Sequence, residues 1–157
     1  MSDDFDTFMR KVDAMIDRAL DFTDLVTVLY IRNVSAEVIF TTPGPNLQWP
    51  ETTEYIAVGR LRGGWQWGTT PLATASRWKG GPYTEHGDET LSAIEAAVGK
   101  SPPAVSYLFN DVAYGYLIQE ALGRHSAERP GRDWVEIMPH KQERLLREAQ
   151  REAASVR

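Results

Sequence analysis

Apolar residues fall at Phe5, Phe8, Val12, Met15, Ile16, Ala19, Phe22, Val26 and Leu29. Spacings of three and four predict an amphipathic helix that starts near Asp4. Ser2 or Asp3 can accept hydrogen bonds from its first free amides, and the early acids suit the positive end of its dipole. From Leu25 to Phe40 the chain becomes rich in Val and Ile, which favours strand. Yet Phe22, Val26, Leu29, Asn33, Ala36 and Phe40 keep the helical period. One helix over 4–42 is the expectation, stopped by Pro43-Gly44-Pro45.

Prolines at 43, 45 and 50 make residues 43–58 a loop. Residues 60–69 alternate and carry Trp65 and Trp67, so they read as a strand. Gly63-Gly64 within it marks a bulge or a close backbone approach. Residues 70–87 form a Gly- and Pro-punctuated loop, a hairpin arm or mobile segment. Asp88 is the expected cap of a short helix over 89–98, with Leu91, Ile94 and Val98 on one face and Gly99 at its end. Residues 104–109 read as a buried strand, 113–120 as a second extended or short helical element, and 134–138 as a last short strand. A final helix over 139–155 has Pro139 near its first turn. Glu143 with Arg147 and Glu148 with Arg151 are favourable helical pairs. Its apolar face is thin (Leu145, Leu146, Ala149, Ala153), which suits a helix lying on a sheet edge or against a neighbour. This order predicts one α+β domain over 1–157, with a small, mainly antiparallel sheet within 60–137.

At 157 residues the chain is long enough for a single core. It has no apolar run of membrane-spanning length, and its acidic start is not that of a secretory signal. With no cysteine there is no disulfide framework and no thiolate metal site, and a cytoplasmic product is the natural reading. The net charge of −5 hides an asymmetry. Residues 1–24 hold seven acids against Arg10, Lys11 and Arg18, whereas no acid occurs from Tyr55 to Thr84, where Arg60, Arg62, Arg77 and Lys79 lie. Such patches are solvated faces or charge-matched contacts between copies.

Candidate chemistry is sparse. His86, His125 and His140 show no zinc-binding spacing. His86 with Asp88 and Glu89 has the donor types for a metal, but a polar loop explains them equally well. Glu120 and Asp133 form an acid/base pair only if the fold brings them together. Neither a nucleophile elbow nor a phosphate-binding glycine loop occurs. The expectation is therefore a non-enzyme without cofactor or metal. Trp65, Trp67, Trp78 and Tyr83 interleave with Arg60, Arg62, Arg77 and Lys79, the composition of a single-strand stacking platform over 60–83. The overall acidic charge argues against a strong phosphate binder.

Two motifs remain. Gly59-Arg60-Leu61-Arg62-Gly63-Gly64-Trp65 follows the long helix. Asn110-Asp111-Val112-Ala113-Tyr114-Gly115 comes later, then Glu120-Ala121-Leu122-Gly123 and the turn Arg129-Pro130-Gly131-Arg132. In this order, between residues 4 and 155, they resemble the tail-completion and neck proteins of long-tailed phages, of the minor tail protein Z type. The family pattern has Asp-Thr where this chain has Ala57-Val58, proline in place of Ala113, and alanine in place of Gly115.

The resemblance implies a virion structural protein at the head–tail junction, assembled in the host cytoplasm. It implies a homo-oligomeric ring that joins the tail to the head connector and surrounds the DNA path without reading its sequence. Implied partners are other copies, the head connector or adaptor, and tail terminator or tube proteins. The candidate interface residues are Arg60, Arg62, Trp65, Tyr114, Glu120, Arg129 and Arg132. Arg60 and Arg62 are expected on one strand face with Leu61 on the other. An arginine fork there can pair with a neighbour's carboxylate, Glu120 being the candidate. The 70–87 loop and the last helix are candidate docking surfaces. The alternative is a small single-stranded nucleic-acid-binding protein that uses 60–83.

Overall fold

The computed structural model describes residues 2–42, 58–71, 81–112, 115 and 138–156. Outside them lie the expected element at 113–120 apart from Gly115, residues 43–57 of the loop expected over 43–58, and residues 134–137 of the strand expected over 134–138, while Val58 and Met138 each begin a helix. The fold is α+β. A 40-residue helix, α1 (Ser2–Thr41), leads into a five-residue helix, α2 (Val58–Arg62). Then follow β1 (Trp65–Gly68), α3 (Asp88–Val98), β2 (Tyr107–Asn110) and α4 (Met138–Ser155). β1 and β2 form an antiparallel pair, with Trp65 opposite Asn110 and Gly68 opposite Tyr107.

α1 stays helical through its Val/Ile-rich half because that half is covered on two sides. Tyr30, Val34 and Val38 pack into one cluster with Leu61, Val112, Met138 and Leu145. Val28, Ile31 and Ile39 pack into a second with Ile94 and Val98 of α3. Burial of both rows overrides the strand preference of β-branched residues. Thr42 closes the helix: its amide and hydroxyl both donate to the Val38 carbonyl, at 2.9 and 2.7 Å.

α4 lies along α1. Its buried row is Met138, Leu145, Ala149 and Ala153, and the two alanines are wholly buried, so the helices approach closely. Leu146, expected in that row, is 39% exposed. Ion pairs border the seam. Glu37 accepts from Lys141 and, at 3.1 Å, from Arg144. These cations hold the Glu37 carboxyl below its ordinary value, the Lys141 hydrogen bond first, against the opposing effect of burial. Arg32 reaches Glu152 of α4 at 3.1 Å and Glu95 of α3 at 2.8 Å, tying three helices at one point. Arg147 pairs with Glu143 as expected, while Glu148 pairs with Arg144, not Arg151.

Three local expectations need correction. Residues 60–62 belong to α2, not to a strand. Leu61 is 2% exposed, and one helical turn lets it reach the core while Gly63-Gly64 reverse the chain. The second strand begins at Tyr107, because β1 ends at Gly68 and offers no partner to Val105, which is 62% exposed. Asp88 is the first residue of α3, not its cap. The cap position is Gly87, in a left-handed conformation (φ 95°) with its Cβ position 2.4 Å from Ile39 Cγ2. Only glycine fits there. Thr84 takes over the side-chain work: its hydroxyl accepts from Gly87 N at 2.9 Å and donates to Glu89 at 2.5 Å. That bond, before any other influence, lowers the Glu89 pKa. Gly99 ends α3 as expected, at φ 68°.

Candidate functional site

The first motif folds into a hub joining α1, β2 and the 81–87 segment. Arg62 Nη2 and Nε donate to the Thr42 carbonyl at the end of α1, at 2.9 and 3.3 Å, and its Nη1 donates to the Glu85 carbonyl. Burial pulls the Arg62 pKa below the usual guanidinium value. Trp65 Nε1 donates to Thr42 Oγ1 at 2.8 Å, so the end of α1 is held by two residues of the motif. Asn110 Nδ2 donates to the Leu61 carbonyl at 2.7 Å, and its Oδ1 accepts from Val112 N at 3.0 Å. The first residue of the second motif thereby grips the first motif.

The glycines are there for close approach, in a turn and not within a strand. A Cβ on Gly63 would lie 1.8 Å from the Pro82 carbonyl oxygen, and one on Gly64 2.4 Å from Val112 Cγ2. Gly81 N donates to the Arg60 carbonyl at 3.0 Å, and Thr84 N to the Gly59 carbonyl at 3.3 Å. Residues 81–87 are thus packed against α2, with Gly81, Thr84 and Gly87 buried. Residues 72–80 of the expected docking loop lie outside the described residues.

Of the candidate interface residues, Arg60, Arg62 and Trp65 are described. Arg60 is exposed and reaches only the Gly81 carbonyl at 3.3 Å among the bonds seen here. Arg62 is turned inward, so the two arginines do not share a face. Trp65 is partly buried between the two core clusters. Tyr114, Glu120, Arg129 and Arg132 lie outside the described residues, and with them the arginine–Glu120 pair. His86 has Glu85 4.0 Å away. Among the described residues, no group of three His, Asp or Glu side chains could hold a metal ion.

The surface that sequence reasoning missed is on α1. From Phe5 to Asp21 every residue except Val12 is exposed. Phe5 (63%), Phe8, Met9, Met15 (64%), Ile16 and Leu20 (60%) form an uncovered apolar stripe. The covered part of the helix starts where Ser101 Oγ donates to Asp24 at 2.7 Å. A signal was present: Phe5, Phe8, Val12, Met15, Ala19, Phe22, Val26 and Leu29 alternate steps of three and four without a slip. That spacing is shared by the heptad seams of helices that pack on one another and by the face of a helix on its own core.

No helix among the described residues is long and apolar enough to cross a membrane. The chain matches no protein-family model, no curated protein and no solved structure.

Proposed function

We propose that this protein is a structural assembly subunit of a phage particle, a tail-completion or neck protein that forms a homo-oligomeric ring at the head–tail junction. The observation that carries the assembly reading is the uncovered stripe on α1. Its six large side chains, 40–64% exposed, present roughly 600 Å² of surface, at the upper end of what monomeric proteins leave in water. Such a stripe calls for a covering surface. The head–tail location rests on the order of the two motifs, and their mutual grip through Asn110 and Leu61 gives that order a structural reason.

Single-stranded nucleic acid is the less supported reading. Trp65 and Trp67 pack against Ile39, Ile94 and Val98, which draws their rings away from the stacking role that reading requires. The role is tested by mass spectrometry of purified particles from a host that produces this chain. Stoichiometric recovery with the connector and tail proteins is expected. Absence from tailed, infectious particles overturns the proposal.

A further inference from the structure

We infer that the exposed half of α1, residues 5–21, is a self-association surface on which copies of this chain pack in parallel. This rests on reading the protein as a self-assembling subunit, and it names the surface that does the work. Three observations lead to it.

The first is width. At 100° per residue, the stripe from Met15 through Phe8, Ala19, Val12, Phe5, Ile16 and Met9 to Leu20 spans about 140° of the helix. A two-helix seam uses a narrower band. A band this wide has room for two neighbouring helices, as a ring or bundle requires.

The second is the charge on its borders. Asp13, Asp6 and Asp17 follow the Leu20 edge, in that order around the helix. Asp4, Lys11 and Arg18 follow the Met15 edge, so beyond the first turn that border is basic. Lys11 and Arg18, with Arg10, Thr7, Ala14 and Met15, line a shallow groove there. Charges beside a helical seam set its orientation. When parallel copies pack side by side, the basic border of one meets the acidic border of the next. In a two-fold antiparallel pair, each border meets its own copy, lysine and arginine against lysine and arginine. The borders therefore select the parallel arrangement, which is also the one that repeats around a ring axis.

The third is the strict heptad, which continues from Phe5 into Leu29 and limits packing copies to staggers of whole heptads, of which the in-register one covers the full stripe. An acidic border is also ill suited to an anionic membrane surface.

The chain has no cysteine, so orientation is directly testable. In the full-length protein, Phe5→Cys places one thiol in the middle of the stripe near the helix start. Parallel packing brings these thiols together, and oxidation gives a disulfide-linked dimer. An antiparallel pair overlapping along the stripe separates them by roughly fifteen residues, or about 22 Å of helix. In that case a mixture of Phe5→Cys and Leu20→Cys cross-links and Phe5→Cys alone does not. Sedimentation equilibrium supplies the second readout. Ile16→Asp is expected to weaken self-association by at least about 100-fold, since it puts a charge into the seam. Circular dichroism of its folded body should be unchanged, because Ile16 is 51% exposed and, among the described residues, belongs to neither core cluster.

A monomeric wild-type protein, an oligomer indifferent to Ile16→Asp, or the antiparallel cross-link overturns the inference. A wild-type monomer that floats with phosphatidylcholine vesicles also overturns it and assigns the stripe to lipid. Failure here with the chain still present in particles leaves the assembly role standing on another surface. Parallel self-association with the chain absent from particles has the opposite meaning.

Discussion

Arg60 and Arg62 are two residues apart in one motif, and the structure gives them very different duties. Replacing Arg62 by methionine keeps the aliphatic stem that packs beside Gly87 and removes the guanidinium. Three hydrogen bonds go: two to the Thr42 carbonyl, at 2.9 and 3.3 Å, and one to the Glu85 carbonyl. Thr42 is 1% exposed, so water cannot readily replace the donors there. Hydrogen bonds from a charged donor contribute about 1.5–3 kcal/mol each. The long bond counts for little and the Glu85 end is open to solvent, which leaves about 2–4 kcal/mol for Arg62→Met. In a chain of this length that is a fall in Tm of roughly 5–12 °C. Arg60→Met loses one long, part-buried bond of 3.3 Å from an exposed side chain and should cost less than about 0.5 kcal/mol. Urea unfolding followed by circular dichroism measures both. Equal costs for the two variants, or an Arg62→Met protein as stable as wild type, would refute the hub. A stable Arg62→Met protein that fails to assemble would return Arg62 to the interface role suggested by the motif.

The other predictions concern packing and pH. Leu145→Ala removes a side chain that is 2% exposed in the α1–α4 seam and should cost about 2–4 kcal/mol. Leu146→Ala, one residue on, should cost under about 1 kcal/mol by the same unfolding assay. Gly63→Ala forces a Cβ into the Pro82 carbonyl, where backbone must move, and should destabilise by about 1–3 kcal/mol. Glu37→Gln should cost about 1 kcal/mol at pH 7 after allowance for solvent screening. Because the folded Glu37 pKa is depressed, its contribution is present above the unfolded glutamate value of about 4.3 and lost as pH falls through the lower folded value. Wild type and Glu37→Gln should therefore converge in stability in acid, and a gap independent of pH would contradict the pairing.

The helical frame was legible because its signals are local and periodic. Apolar steps of three and four run unbroken through the Val/Ile-rich half of α1, and helix survived there against propensity because both faces are buried. Gly99 and the Leu91–Ile94–Val98 row marked α3, and Pro139 marked the start of α4. The turn Gly59–Gly64 was not legible. Five residues with one inward leucine between arginines satisfy a strand pattern as well as a helical turn. What decides between them is distant in sequence: Asn110 on the Leu61 carbonyl and Gly81 on the Arg60 carbonyl. The cap of α3 was misread for a similar reason, since the cap position needs a left-handed glycine against Ile39 and its hydroxyl comes from Thr84. For the candidate site, the motif glycines announced a close approach but not its partner. Arg62 looked like an interface residue because a bond to a carbonyl twenty positions back leaves no mark in the sequence. The α1 stripe was visible as a period, and only the exposure of residues 5–21 shows that this half of the helix is not part of the core.

Cryo-electron microscopy of intact particles tests the assembly role most directly. The expected result is a closed ring of this chain at the neck, with the first halves of α1 side by side and parallel, and Arg62 inside each subunit. Tailed particles whose neck density is fully accounted for by other chains would contradict it.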